Sequence, residues 1–126
     1  MRISILQEKL QKAKLIGAKQ VALHEGELNI NKLYGISEIK EIQEIQHNNI
    51  VVYGSKDYKN MSIDDLDLKL ENIKKHFGDI EVKGCIKIEK KCAETINEIK
   101  TVCLIAYKDK EDNDNIMALM SISDLK

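Results

Sequence analysis

The sequence predicts an α+β fold: small antiparallel sheets packed with amphipathic helices, arranged as two sub-modules of one compact domain. Three observations carry the prediction. Two stretches repeat apolar residues at three- and four-residue steps, as helices with one buried face do. Several shorter stretches alternate or run apolar, as strands do. With 126 residues and 43% apolar content, the chain is the size of one ordinary core. No internal repeat, low-complexity tract or proline-rich linker divides it, and proline is absent altogether.

The first module spans residues 1–60. Ile3, Leu6, Leu10, Ala13 and Ile16 share one helical face, with Gln7, Glu8, Lys9, Lys12 and Lys14 mostly between them. Gly17 is placed to end this helix, because glycine takes the left-handed conformation at little steric cost. Val21 and Leu23, then Leu28 and Ile30, alternate with polar neighbours around Glu25-Gly26, which predicts a hairpin of strands at 19–24 and 27–33. Ile36, Ile39, Ile42 and Ile45 recur every third residue, which predicts a short helix capped by Ser37. After the polar break at His47-Asn48-Asn49, the β-branched run Ile50-Val51-Val52-Tyr53 reads as a central strand ended by Gly54.

The second module spans residues 61–126, a helix followed by an antiparallel meander. Ser62 is a natural N-cap with Asp65 three residues on, and Ile63, Leu66, Leu70, Ile73 and Phe77 form the apolar stripe. Gly78 closes the helix. Ile80, Val82, Ile86 and Ile88 share one parity while Glu81, Lys83, Lys87 and Glu89 share the other, predicting a strand with one wet face. Residues 92–100 read as a strand extension. Residues 101–107 and 116–122 give two more strands around the polar loop from Asp109 to Asn115.

The charge balance excludes several function classes. Twenty basic and twenty-one acidic residues leave a formal net charge of −1, so no global basic field exists to hold a polyanion non-specifically. Arg2 is the only arginine, so bidentate readout of phosphate or guanine is nearly absent from the repertoire. No run approaches the ~18 apolar residues of a transmembrane helix and no signal-peptide pattern opens the chain, so a cytoplasmic protein without membrane contact is expected. Cys85, Cys92 and Cys103 are odd in number and lack a C-x-x-C pair, which predicts reduced thiols.

The stretch Met61-Ser62-Ile63-Asp64-Asp65-Leu66, continuing through Leu70 and Ile73 to Phe77-Gly78-Asp79-Ile80-Glu81-Val82, resembles small phage and prophage accessory proteins in which a capped helix feeds a strand meander. The resemblance covers residues 61–122. It implies a mobile-element origin and an accessory role such as antagonising host defence, and it brings no catalytic residues with it.

Reactive constellations are not evident. His24, His47 and His76 are scattered and read as exposed or partly buried, and the cysteines lack the close pairing of a structural zinc site, so neither a metal nor a cofactor is expected. Asp109, Glu111, Asp112 and Asp114 lack the glycine and glutamate of a calcium loop and read as a solvated hairpin tip. No phosphate-binding loop, dinucleotide fingerprint or nucleophile elbow occurs, so catalysis is not expected. The candidate ligand site is Tyr53, Ser55, Lys56, Tyr58, Lys59 and Asn60, where aromatic faces and ammonium groups fall between a strand and a helix N-terminus, a combination suited to stacking a base and holding phosphate. Lys83 and Lys87, with Lys90 and Lys91, form a second candidate surface.

The last strand is apolar on both sides, with Ile116, Ala118, Met120 and Ile122 on one and Met117 and Leu119 on the other; it is either covered twice or covered on one side by a partner, and a homodimer or higher oligomer built through it is expected. The functional expectation is a non-catalytic anti-defence protein that sequesters a host component, a small nucleotide-derived immune signal foremost. The alternative is an inhibitor or adaptor acting on a host protein, and a small hydrolase ranks third.

Overall fold

The computed structural model describes residues 1–26, 33–43, 48–56, 59–87 and 96–122. Among these the elements run α1 (Ile3–Ile16), β1 (Gln20–His24), β2 (Leu33–Gln43), β3 (Asn48–Ser55), β4 (Met61–Ser62), α2 (Ile63–Phe77), β5 (Glu81–Ile86), β6 (Ile96–Glu98), β7 (Thr101–Lys108) and β8 (Asp114–Ser121). The fold is α+β. In place of small antiparallel sheets, the strands join one larger mixed sheet in the order β6-β5-β3-β2-β1-β8-β7, with β4 beside β1. Two neighbouring pairs are parallel, β1 with β8 and β3 with β5. Parallel neighbours need a crossover, and α2 supplies it between β3 and β5.

Both helices form where the apolar spacing places them. Ile3, Leu6, Leu10 and Ala13 of α1 and Ile63, Leu66 and Leu70 of α2 are buried. Each predicted stripe is shorter at its C-terminal end: Ile16 is 61% exposed and Phe77 43% exposed. Gly17 ends α1 at φ 119°, and Gly78 ends α2 at φ 88°. Ser62 caps α2 by accepting the Asp65 N–H at 3.0 Å. Arg2, at the start of α1, offers no side-chain cap, and the cap comes from across the fold: Asp79 accepts the Ser4 N–H at 2.8 Å and the Ser4 hydroxyl at 2.6 Å. The helices are held side by side by Gln7, which donates to Glu71 and accepts from Lys74, and by the Lys14–Asp64 ion pair.

The expected helix after Ile36 is strand as far as Gln43. Ile36 pairs with Gly54 and Glu38 with Tyr53, so Ser37 is an extra residue in the ladder, and its hydroxyl donates to the Tyr53 carbonyl at 3.2 Å. A bulge shifts the side-chain parity by one. Ile36 and Ile39, three apart, therefore both reach the core face, and a helix-like spacing arises from an interrupted two-residue period. Ile45 lies outside the described residues. The antiparallel partner of β1 is β2, entered at Leu33 (His24↔Leu33), while Leu28 and Ile30 lie outside the described residues. Gly54 sits inside β3 and does not end it.

The main core lies on the sheet face covered by α1 and α2, where Val21, Leu23, Ile50, Val52, Val82, Ala118 and Met120 meet the helix stripes. The sheet curls around this core. In a flat sheet β1 and β5, three strand positions apart, would be ~14 Å from each other. Yet a Cβ on Gly84 of β5 would stand 3.2 Å from Leu23 Cδ2, and one on Gly54 of β3 would stand 2.9 Å from Leu23 Cδ1. The two glycines leave the space that the Leu23 methyl groups fill, which is what a glycine inside a strand often marks.

β8 is enclosed within the chain: it pairs with β1 on one edge and β7 on the other, Ala118 and Met120 are buried on the helix side, and Met117 and Leu119 on the opposite side. Its two apolar faces are thus both covered. No helix among the described residues is long and apolar enough to cross a membrane.

Candidate functional site

The sheet face away from the helices carries the polar groups that converge. Strand register fixes their placement, because directly opposed residues share a face. Lys40, Val51, Lys83 and Glu98 form one row across β2, β3, β5 and β6, and Glu38, Tyr53, Cys85 and Ile96 form the next. Val51, Tyr53 and Cys85 pack together as a buried floor. Lys87 extends the ladder just past β5, its N–H donating to the Gly54 carbonyl at 2.8 Å. Its ammonium lies 4.7 Å from the centre of the Tyr53 ring, and that of Lys40 lies 6.0 Å from it. Both distances are within cation–π range.

Glu38 ties the two lysines together, paired with Lys87 and, at 3.6 Å, with Lys40. The hydrogen bond from Lys87 holds the Glu38 carboxyl below the ordinary carboxylate range; desolvation opposes this and the Lys40 charge adds to it. Lys40, Lys83 and Lys87 against Glu38 and Glu98 give three positive and two negative charges, a local excess of +1. The site is therefore an apolar floor with a lysine rim whose charge is partly neutralised from within.

Only part of the sequence-derived site belongs here. Tyr53 does, but it is 7% exposed, with an ammonium over its ring. Ser55 ends β3 opposite Gly35. Lys56 is exposed in the following turn, 5.9 Å from the ring centre of Tyr34, not of Tyr53. Lys59 is exposed and Asn60 half-buried ahead of β4. Tyr58 lies outside the described residues, as do Lys90 and Lys91. The structure brings together Tyr53 from the first candidate surface and Lys83 and Lys87 from the second. It also adds Glu38 and Lys40, which the expected helix over 37–45 had removed from any sheet.

Other chemistry-bearing residues are occupied structurally. His24 is fully buried, not exposed or partly so, because β1 is flanked by β2 and β8; its Nδ1 lies 3.1 Å from the Ser121 hydroxyl. His76 is exposed and bonds the Asn72 carbonyl within its own helix. His47 and Cys92 lie outside the described residues. Among the described residues neither Cys85 nor Cys103 is in a disulfide, and burial pushes the Cys103 thiol up. Cys85 is fully buried on the face expected to be wet. Among the described residues no group of three or more histidine, cysteine or carboxylate side chains is placed to hold a metal ion.

The acidic tip is a hairpin organised by Asp109, whose carboxylate accepts the N–H groups of Glu111 and Asn113, each at 2.9 Å, and the Asn115 amide at 2.8 Å. A cleft of about 420 Å³ between the end of α1 and the start of α2 is lined by Lys14, Gly17, Ala18, Lys19, Ser62, Ile63 and Asp64. Lys14 and Asp64 pair across it at 2.6 Å, which leaves no unpaired charge from those two side chains for an ionic ligand. Protein-family models, curated proteins and solved structures were all compared with the chain, and none matches.

Proposed function

We propose that the chain is a non-catalytic binding protein of phage or mobile-element origin that sequesters a host component in the host-cell cytoplasm. The component is a small anionic, nucleotide-derived signal held on the lysine-rimmed sheet face. The observation that carries this reading is the convergence of Lys40 and Lys87 on the Tyr53 ring, with Lys83 in the adjoining row of the same face. In this reading a ligand phosphate replaces the Glu38 carboxylate as the partner of Lys40 and Lys87, exchanging one charge-assisted contact for another. The base rests on the row formed by Tyr53 and Ile96, the latter 42% exposed. The Tyr53 ring is largely buried and already capped by Lys87, which departs from the open stacking platform expected of the loop.

The test is a panel of cyclic dinucleotides, cyclic trinucleotides and cyclic ADP-ribose isomers, read by heat-stabilisation and calorimetry. At least one member should bind and be recovered intact on denaturation. Lys87→Gln should weaken it ~10- to 100-fold, the value of a hydrogen bond to a charged group. Absence of binding across the panel removes the ligand, and recovery of a chemically altered ligand replaces sequestration with catalysis.

A further inference from the structure

We infer that two copies of this chain pair edge to edge through β7, antiparallel, about a two-fold axis perpendicular to the sheet. Among the described residues β7 ends the strand order and pairs with β8 alone, in a register uninterrupted from Thr101↔Ser121 to Lys108↔Asp114. Among the described residues its outer backbone groups have no hydrogen-bond partner. A row of unpaired N–H and C=O groups is a template for another strand unless the protein blunts it with proline, a bulge, a charge or shortness. None of these protects β7. The chain has no proline, the β7 ladder has no bulge, the strand is eight residues long, and Thr101 to Tyr107 carry no ionic side chain. The opposite edge of the sheet differs: β6 has three residues and ends on Glu98.

A second copy is the occupant that the charges favour. In an antiparallel pair, opposed residues share a face, so a two-fold pairing that keeps the sheet continuous sets one residue opposite itself. Centred on Leu104, it opposes Cys103 to Ile105, Val102 to Ala106 and Thr101 to Tyr107, and no like charges meet along the uncharged stretch. The exposed Lys100 of each copy then stands opposite Lys108 at the base of the other copy's hairpin tip. That tip counts Lys108 and Lys110 against Asp109, Glu111, Asp112 and Asp114, two positive and four negative, a net −2. Lys108 is itself engaged by Asp112 and Asp114, each at 3.8 Å, which tempers its repulsion of Lys100. The half-buried Cys103, Ile105 and Tyr107, which pack on Ala22, Met117 and Leu119, continue from one copy into the next as a single apolar band.

The full chain is tested by light scattering across micromolar to submillimolar concentration, with amide exchange followed in β7. A dimer is expected, with alternate β7 amides exchanging more slowly as concentration rises. Ala106→Lys changes a side chain already exposed in the single chain, so it should leave thermal stability at high dilution intact while weakening the dimer ~10-fold or more. Lys100→Glu should weaken it by a smaller factor, and less so at high salt. A strict monomer overturns the inference, as does a dimer that ignores both substitutions and leaves β7 exchange unchanged. A pure protein that stays monomeric yet takes a strand from a host protein at this edge also overturns it, in favour of the inhibitor or adaptor reading.

Discussion

Replacing Gly84 by alanine tests the curl of the sheet, because the added methyl group would occupy the space where strands that are remote in the sheet meet. Its position lies 2.6 Å from Ile122 Cγ2 and 3.2 Å from Leu23 Cδ2, where ordinary contact begins at 3.4 Å. Ile122 and Leu23 are both buried, so neither can turn aside into solvent. Overpacking of this kind costs ~1–3 kcal/mol. The alanine also restricts the unfolded chain, which returns ~0.4–1 kcal/mol. The net expectation is a loss of about 1–2 kcal/mol, or ~4–8 °C in melting temperature for a chain of this length. Urea denaturation measures the loss, and a double-mutant cycle with Ile122→Ala assigns it. In the Ile122→Ala background the nearest clashing methyl is gone, so Gly84→Ala should cost nearly nothing or stabilise, a coupling of about 1 kcal/mol. If Gly84→Ala is neutral in the wild-type background and uncoupled to position 122, then Ile122 and Leu23 do not close over β5, and the described curl is wrong.

Two further substitutions test the joins between distant segments. Asp79→Ala removes the cap of α1 and should cost ~0.5–1 kcal/mol at neutral pH, the lower part of the capping range because the site is exposed. The Ser4 hydroxyl first, then the Ser4 N–H, hold the Asp79 carboxyl below its ordinary value of 3.8; the cap's contribution is therefore full above that value and fades as pH falls through the lowered one. Wild type and variant should converge in strong acid, and a stability gap independent of pH would disprove the cap. Ser121→Ala removes the hydroxyl beside the buried His24 ring and should cost about 1 kcal/mol by urea denaturation. A change of only a few tenths would show that His24 does not depend on that contact.

How far the fold was legible follows from what each pattern encodes. A helix is a local object: Ser62, the Ile63–Leu66–Leu70 stripe and Gly78 specify α2 within their own segment, and the structure agrees. Strand pairing is not local. Nothing near Gln20–His24 announces that its parallel partner begins near Met117, so a sheet of mixed direction was read as separate hairpins. The order strand, helix, strand around α2 does hold a clue, since β3 and β5 become parallel neighbours through it, but the polar loop after Tyr53 looks like a divider and masks it. The three-residue isoleucine spacing misled for a different reason. One bulged residue, Ser37, shifts a two-residue period by one, and over so short a span the result coincides with a helical step.

That misreading also explains why the candidate site emerged in pieces. Tyr53, Lys83 and Lys87 were each singled out, yet along the sequence Tyr53 belonged with the loop lysines that follow it, and Lys83 and Lys87 with a solvated face. Their true neighbour relation runs across the sheet, and Glu38 and Lys40 join it only once β2 is a strand whose bulge turns those two residues to the face opposite Ile36 and Ile39. The bulge at Ser37 is thus a functional element of the proposed site as well as a structural one: were Ser37 an ordinary ladder residue, Glu38 would fall in phase with Ile36 on the core side and Lys40 with it. Deleting Ser37 removes the extra residue itself and leaves Ile36 opposite Gly54 and Glu38 opposite Tyr53 in a regular ladder, so the deletion variant should fold and keep Glu38 and Lys40 on the face of Tyr53. A deletion variant that folds but loses the Lys87–Glu38 pairing would break the link drawn here between strand parity and the lysine rim.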